Sequence, residues 1–205
     1  MDQNLKLLIV DDHVLFCNGL EQIIKQHITN AEVVIVNNPL LGLELPLSTF
    51  DLILVDMDMP QIKGFEFIKR ARDQYEDLKF MIVTMHNKLS IIRKVQKEKI
   101  MGYMLKDDDA IDFLNGILSI LDGNEYYSKQ VIDTMLQSPK EEIVLTLREE
   151  EILNHLAQGL SMQEIAEDFS ISLETVKTHA KNIKSKLKVG NKAELIKYAI
   201  DNLIL

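Results

Sequence analysis

The sequence has a single cysteine and no long apolar run. Cys17 is the only cysteine among 205 residues, so an internal disulfide is excluded, which fits a reducing compartment. No apolar stretch approaches the roughly 18 residues that a membrane span requires, and the N-terminus lacks a basic segment followed by an apolar one. We therefore expect a soluble cytoplasmic protein that has no membrane partner.

Positive charge is also scarce. The chain carries 23 basic and 32 acidic residues, a net charge of −9, which taken alone disfavours a nucleic-acid partner. The distribution is uneven, however, because seven lysines and one acid, Glu194, lie within residues 177–197. A basic segment in an acidic chain is the electrostatic footprint expected of a nucleic-acid contact.

The periodicity of apolar residues predicts two domains. Short apolar runs, typical of buried strands, alternate with helix-like stretches at 5–10, 32–36, 52–55, 80–84 and 102–105. This alternation predicts an α/β domain over residues 1–122, with a doubly wound, five-stranded parallel sheet of flavodoxin-like topology. We expect a polar linker with one short helix at 123–142 and a small all-α domain at 143–205.

Polar residues stand at the ends of four of these apolar runs. Asp11 and Asp12 follow the first run, Asp56 the third, Thr84 the fourth and Lys106 the fifth. In a doubly wound sheet, the ligand crevice lies outside the carboxyl ends of the strands. The sequence therefore predicts one small site that contains three carboxylates, a hydroxyl and an ammonium.

Clustered carboxylates repel one another, and a hard divalent cation relieves the repulsion. Mg²⁺ prefers oxygen ligands in an octahedron. We expect Asp12, Asp56 and the backbone carbonyl of Met57 to hold Mg²⁺, with Asp11 acting directly or through water. With the metal in place, one carboxylate can attack a phosphoryl group, and Lys106 would pair with that group while Thr84 donates a hydrogen bond to it.

These residues match, in order, the signature of receiver domains. The segments DDHVLFCNGL, LVDMDMP, IVTMH and GYMLKD resemble the NarL/FixJ class of two-component response regulators over nearly the whole chain. The resemblance implies that Asp56 accepts phosphate from a sensor histidine kinase and that Tyr103 rotates when Thr84 moves toward the phosphoryl group. It also implies that Asp58 and His86 lie at positions that influence the dephosphorylation rate.

Two positions depart from the pattern of this class. Lys99-Ile100 replaces the usual Gly-Ala before the fifth strand, and Cys17 stands where such proteins often carry arginine. The first change bears on the output surface, and the second puts a contact of the first helix in doubt.

The C-terminal segment has the pattern of a helix-turn-helix. Ser161 and Glu164 form a capping box, and Ser172 is expected to cap a long helix. On that helix a buried face recurs at spacings of 4, 3 and 4, and lysines repeat the same spacing one residue later. The buried positions are Val176, Ala180, Ile183 and Leu187, and the lysines are Lys177, Lys181, Lys184 and Lys188.

This segment resembles LuxR-type helix-turn-helix domains along its whole length. The resemblance implies a double-stranded DNA operator with paired half-sites, and the apolar last helix, with Leu195 and Leu203, suggests a homodimer in the active state. Lys177, Thr178 and Lys181 would contact base edges or adjacent phosphates. The residues expected to hold the DNA backbone are Lys184, Lys188, Asn191 and Lys192.

Two alternatives remain open. A regulator of the same class could act without phosphorylation, although the intact set of five site residues argues against this. The segment LILVDMDMP also fits haloacid-dehalogenase-like phosphatases, with Asp56 as nucleophile and Asp58 as general acid. Those enzymes place this motif at their first strand and a second acid pair late in the chain, whereas here the acid pair comes first.

Overall fold

The computed structural model describes residues 5–137 and 145–202. They form two compact units, one ending at Gln137 and the other beginning at residue 145. Part of the predicted linker, 138–142, and the predicted dimer residue Leu203 lie outside the described residues. No helix in the described ranges is long and apolar enough to cross a membrane.

The first unit is a parallel sheet flanked by helices. Its strands run in the order β2-β1-β3-β4-β5-β6. They are β1 (Leu5–Val10), β2 (Ala31–Val36), β3 (Leu52–Asp56), β4 (Phe80–Thr84), β5 (Gly102–Leu105) and β6 (Tyr126–Tyr127). The helices are α1 (Val14–His27), α2 (Pro39–Gly42), α3 (Gly64–Gln74), α4 (Leu89–Lys97), α5 (Ala110–Leu121) and α6 (Lys129–Gln137), with a 3₁₀ turn at Leu47–Thr49.

The sheet has six strands, so the predicted number of five is wrong. Tyr126 pairs in parallel with Gly102 of β5, and the amide of Ser128 donates a hydrogen bond of 3.2 Å to the carbonyl of Tyr103. Helix α6 then packs against α4 and β5. A strand of two residues carries no detectable period, which is why the sequence places the domain end at 122 while the first unit extends to Gln137.

The core explains why the strands appear in the sequence as uninterrupted apolar runs. Every residue of β3, β4 and β5 is buried, as expected of central parallel strands covered on both faces. Leu7, Leu54 and Met81 belong to a cluster that includes residues of α1 and α5. Alternate residues such as Val10 point to the other face, where Val10 and Phe67 of α3 lie on either side of Gly42.

Lys99 occupies the turn before β5 in a conformation that favours glycine. Its φ is +51°, a left-handed value that costs a residue with a side chain roughly 1–2 kcal/mol. The guanidinium of Arg72 donates hydrogen bonds of 2.7 Å and 3.3 Å to the carbonyls of Glu98 and Lys99. The departure from Gly-Ala is therefore accommodated by an arginine on α3 that holds the turn in place.

Between residues 145 and 202, the second unit contains four helices. They are α7 (Leu147–Ala157), α8 (Met162–Asp168), α9 (Leu173–Leu187) and α10 (Lys192–Asn202). Thr146 and Glu149 form a capping box at α7, and Ser161 and Glu164 form the predicted one at α8. A sharp turn, with Ser170 at φ +52°, separates α8 from α9, whose N-terminus Ser172 caps through the amide of Thr175.

We predict that Gly64→Ala destabilises the first unit. A Cβ atom at this position would lie 2.5 Å from the backbone oxygen of Asp56 and 3.0 Å from Cα of Met57, and backbone atoms cannot rotate away. We expect a loss of about 1–3 kcal/mol in the free energy of unfolding, measured by urea denaturation of the whole chain.

Gly19→Ala is the matched control. Gly19 is exposed on α1 and nothing lies within 4 Å of an added Cβ. This variant should gain about 0.5–1 kcal/mol. Equal stability of the two variants would contradict the close approach at Gly64.

Candidate functional site

The predicted acidic residues meet at the carboxyl edge of the sheet. Val10 and Val55 are register partners on the neighbouring strands β1 and β3, so Asp11 and Asp56 leave the sheet side by side. Asp11 is 1% exposed and Asp56 is 3% exposed, whereas the side chain of Asp12 is 30% exposed. The crevice therefore has a buried floor of two carboxylates and a more accessible third one.

The ammonium of Lys106 bridges the two buried carboxylates. Its Nζ lies 2.8 Å from Oδ2 of Asp11 and 3.1 Å from Oδ2 of Asp56, and its side chain is only 6% exposed. Both Oδ2 atoms are within ion-pair distance of this ammonium, but neither accepts a hydrogen bond of good geometry. The ring of Phe16, with its centroid 5.3 Å from Nζ, covers the lysine.

The electrostatics of the crevice disfavour the ionised form of Asp56. Burial raises the pKa of Asp56 above its ordinary value, and the negative charge of Asp11 raises it further. Lys106 offsets part of this increase. The site thus has one positive group for three carboxylates and favours additional positive charge.

His13 also lies at the site, although the sequence analysis did not single it out. Its Nδ1 lies 3.1 Å from Oδ1 of Asp11, 3.3 Å from Oδ1 of Asp12 and 3.7 Å from Oδ2 of Asp56. In the sequence, this role is indicated by the position of His13 directly after Asp11 and Asp12. Only the geometry, which turns the ring back over the crevice, shows that it belongs there.

The donor set fits a divalent cation. Ligand atoms of Asp11, Asp12, His13 and Asp56 lie within 4.8 Å of one another, and two of the carboxylate oxygens without hydrogen bonds are buried on Asp11 and Asp56. The Met57 carbonyl already accepts a hydrogen bond of 3.0 Å from the amide of Gly64, which leaves it one lone pair for a metal. Its role as a ligand stays a prediction.

Thr84, His86 and Tyr103 are connected through backbone groups. The amide of His86 donates to Oγ1 of Thr84 at 3.2 Å, and the hydroxyl of Tyr103 donates to the carbonyl of His86 at 2.7 Å. Thr84 is 1% exposed, and Tyr103 is fully buried. The two predicted switch residues therefore contact the same residue of the β4–α4 loop.

Asp58 and His86 meet at the mouth of the crevice. Nε2 of His86 contacts Oδ2 of Asp58, and Nζ of Lys63 lies 3.2 Å from Oδ1. Partial burial acts to raise the pKa of Asp58, but the hydrogen bonds and charges of Lys63 and His86 outweigh it and hold the pKa below its ordinary value. Both predicted rate-influencing residues thus form one surface cluster.

Cys17 stands where related proteins often carry arginine, but its side chain does not reach the solvent. Its side chain is fully buried, and Sγ donates to the carbonyl of Asp11 at 3.4 Å. Burial, with a further contribution from Asp11, raises the pKa of this thiol to about 12. A thiol that stays protonated at neutral pH is a packing residue rather than a nucleophile.

The second unit presents a basic face on α9. Val176, Ala180, Ile183 and Leu187 are buried in its core, as predicted. Lys177, Thr178 and Lys181 are exposed, while Lys184 is half-buried. Nζ of Lys177 lies 2.6 Å from Oε1 of Glu174, and Oγ1 of Thr178 donates to the carbonyl of Glu174.

The residues predicted to hold the DNA backbone differ in their contacts within the protein. Lys188 lies beyond the end of α9, in a left-handed conformation with φ +56°. The row of regularly spaced lysines on α9, which begins with Lys177 and Lys181, therefore ends at Lys184. The side chain of Asn191 exchanges hydrogen bonds with Glu194 at the start of α10. Lys192 begins α10 and is exposed.

One lysine of the basic segment contacts the interior of the unit. Nζ of Lys186 lies 2.6 Å from Oε2 of Glu149, whose side chain is 5% exposed. Glu149 also accepts a hydrogen bond from the amide of Thr146. Glu149 therefore joins the N-terminus of α7 to the C-terminal turn of α9.

Comparison with known families covers both units. Residues 7–117 match the family described as "Response regulator receiver domain", and residues 143–199 match "Bacterial regulatory proteins, luxR family". The chain is a two-component response regulator of the NarL/FixJ class. The predicted receiver domain, the predicted LuxR-type helix-turn-helix and the predicted role in transcription regulation are thereby confirmed.

Individual relatives of the regulator agree over nearly their whole length. It is 31% identical to the transcriptional regulatory protein MctR of Rhizobium johnstonii, over 98% of this chain and 95% of that protein. It is 32% identical to the nitrate/nitrite response regulator protein homolog of Haemophilus influenzae, over 94% of each chain.

Solved structures share the fold of the regulator. The response regulator RcsB in complex with DNA has a TM-score of 0.69 at 22% identity, with 98% of this chain and 100% of that chain covered. ChrA, a response regulator of a heme-sensing two-component system, has a TM-score of 0.55 at 27% identity and 97% coverage of each chain. Both matches extend over the two units of this chain.

We predict that Asp56→Asn stabilises the regulator when divalent cations are removed. The pKa of Asp56 is raised in the folded state, so its contribution to stability is present below the unfolded pKa and is lost as pH rises through the folded pKa. An uncharged side chain avoids this loss. At neutral pH in EDTA we expect a gain of about 1–3 kcal/mol in the free energy of unfolding and a weaker dependence on pH.

Asp58→Asn is the control with the opposite sign. The pKa of Asp58 is lowered, so its contribution is present above the unfolded pKa and is lost as pH falls. Because this carboxylate is 44% exposed, its replacement should cost less than about 1 kcal/mol. Stabilisation by both variants would indicate a general charge effect and contradict the interpretation.

Proposed function

We propose that this regulator controls transcription through phosphorylation of Asp56 by a sensor histidine kinase. The observation that carries the proposal is the bridge of Lys106 to Asp11 and Asp56 beside a third carboxylate. A carboxylate nucleophile needs its neighbours neutralised before it can approach a phosphoryl group, and a lysine already in place can pair with the product.

The proposed cofactor is Mg²⁺. Asp11, Asp12 and Asp56 supply the hard oxygen ligands that this ion prefers, and receiver domains generally bind Mg²⁺ at such an acidic pocket. When bound, the ion neutralises the site and orients the phosphodonor. The protein's own contribution is to hold the Asp56 carboxylate buried, fixed and next to Lys106.

Phosphorylation would shift an equilibrium between two conformations. A phosphoryl group adds a charge of roughly −1.5 to −2 and three acceptor oxygens. Hydrogen bonds to charged groups contribute about 1.5–3 kcal/mol each, so two or three from Lys106 and Thr84 give roughly 3–9 kcal/mol. This range includes the roughly 5.5 kcal/mol that moves a population from 1:99 to 99:1. Thr84 would have to release the amide of His86, whose carbonyl is the partner of Tyr103.

The DNA-binding unit would act as a homodimer on paired half-sites. RcsB is described in a structure of two dimers bound to two parallel DNAs, and we extend this arrangement to the present regulator. The recognition helix would be α9, whose first turns carry the exposed side chains of Lys177, Thr178 and Lys181. The phosphatase alternative loses support, because both matched families describe regulators rather than enzymes.

We predict that a small-molecule phosphodonor with Mg²⁺ adds one phosphoryl group to the wild type and none to Asp56→Asn. Intact-mass measurement detects the adduct, which should be absent in EDTA. Asp58→Asn, which removes the neighbouring carboxylate, should still take up phosphate. An adduct that persists in Asp56→Asn or in EDTA would show that the phosphoacceptor or the metal requirement has been misassigned.

Thr84→Ala separates phosphorylation from its output. It should take up phosphate, because Asp56 and Lys106 are unchanged, but it should not gain operator affinity. Phosphorylated wild type and Thr84→Ala are compared by titration against the same duplex. A normal gain in DNA affinity by Thr84→Ala would rule out the proposed switch.

We predict that substitutions on α9 and beyond it affect DNA binding differently. Replacing Lys177, Thr178 or Lys181 by alanine should cost roughly 1–3 kcal/mol on the cognate operator and relax preference at one or two base pairs. Replacing Lys188 or Lys192 should weaken all sequences alike and reduce the log–log salt slope by about one. Titrations against cognate and scrambled duplexes at several salt concentrations distinguish the two effects.

Each effect should appear in two half-sites about one helical turn apart, as expected for a dimer. A change of base preference in Lys188→Ala or Lys192→Ala would mean that the helix docks in another register. Equal weakening of both duplexes by Lys177→Ala and Lys181→Ala would lead to the same conclusion.

A further inference from the structure

The ring nitrogen Nδ1 of His13 lies where a metal ligand would lie. Its Nδ1 is 3.1 Å, 3.3 Å and 3.7 Å from oxygens of Asp11, Asp12 and Asp56. In an octahedral site with bonds of roughly 2.1 Å, adjacent ligand atoms lie about 3.0 Å apart. The imidazole nitrogen and the carboxylate oxygens therefore already have nearly the spacing of neighbouring ligands around one ion.

The surroundings of Nδ1 contain more negative than positive charge. Besides the three carboxylates, Nδ1 lies 3.1 Å from the ammonium of Lys106. The same ammonium lies 2.8 Å from Oδ2 of Asp11 and 3.1 Å from Oδ2 of Asp56, but neither oxygen accepts a hydrogen bond of good geometry. A cation bound among these atoms would satisfy the carboxylate oxygens and the nitrogen lone pair together.

The backbone fixes the position of this residue without using its ring. The amide of His13 donates a hydrogen bond of 2.8 Å to Oδ1 of Asp11, while the side chain is 58% exposed. The ring is thus free to adjust by the few tenths of an ångström that coordination requires. Its removal should leave the carboxylates where they are.

We propose that His13 is a metal ligand, so that the acidic site also takes a transition-metal dication such as Ni²⁺ or Cu²⁺ through an imidazole bond that Mg²⁺ does not use. Imidazole suits transition metals, whereas carboxylate, carbonyl and water suit Mg²⁺. The inference rests on the metal site of the proposed function and deepens it. The site would discriminate between metals through one side chain at its rim.

Calorimetric titration of Ni²⁺ and of Mg²⁺ into the whole protein tests the proposal. His13→Ala should weaken Ni²⁺ binding about 10-fold or more, since even residues that only support a ligand cost 10–100-fold. Mg²⁺ binding should change by less than about threefold, because its oxygen ligands remain. His27→Ala is the matched control at the opposite end of α1, far from the acid cluster in sequence, and should change neither affinity.

A spectroscopic measurement observes the bond itself. Pulsed electron paramagnetic resonance of Cu²⁺-loaded wild type should show modulation from a coordinated ¹⁴N nucleus, which His13→Ala loses and His27→Ala keeps. Unchanged Ni²⁺ affinity in His13→Ala, an equal loss of Ni²⁺ and Mg²⁺ affinity, or no nitrogen signal from the wild type would overturn the assignment. Mg²⁺-dependent phosphorylation of Asp56 in His13→Ala, measured by mass, shows separately whether the proposed function holds.

Discussion

The ammonium of Lys106 makes the acidic crevice compatible with a folded receiver. Two carboxylates that are nearly inaccessible to water lie within about a hydrogen bond's length of it, and an uncompensated buried charge would cost several kcal/mol. The contact also reaches across the sheet, from the end of β5 over β4 to β1 and β3. One ion-paired group therefore sets both the shape of the crevice and its residual negative charge, from which the affinity for cations follows.

His86 connects Thr84, at the crevice, to the buried ring of Tyr103. Its amide contacts Thr84, its carbonyl contacts Tyr103 and its ring contacts Asp58. Two of these three contacts use the backbone, so the connection from Thr84 to Tyr103 does not depend on which side chain stands at 86. The side chain of His86 instead contacts Asp58. Substitutions at position 86 should therefore alter this surface contact more than the proposed coupling of Thr84 to Tyr103.

Much of the architecture follows from sequence because its signals are local. Strands 80–84 and 102–105 agree with the prediction residue by residue, since uninterrupted apolar runs fix them, and α9 begins directly after its predicted cap, Ser172. β6 was missed because two residues carry no period, and His13 because its role depends on where an exposed ring turns. The row of lysines on α9 ends at Lys184 because Lys188 adopts a left-handed conformation that no spacing rule detects.

Glu149 makes the end of α9 sensitive to acid. Desolvation opposes the ionised form, but Lys186 and the groups of Thr146 outweigh it and hold the pKa of Glu149 below its ordinary value. Such a carboxyl contributes stability that is present above its unfolded pKa and is lost as pH falls through the folded pKa. Protonation would remove the ion pair with Lys186 and weaken the hydrogen bond from the Thr146 amide, so the C-terminal turn of α9 would loosen while its first turns stay capped by Ser172.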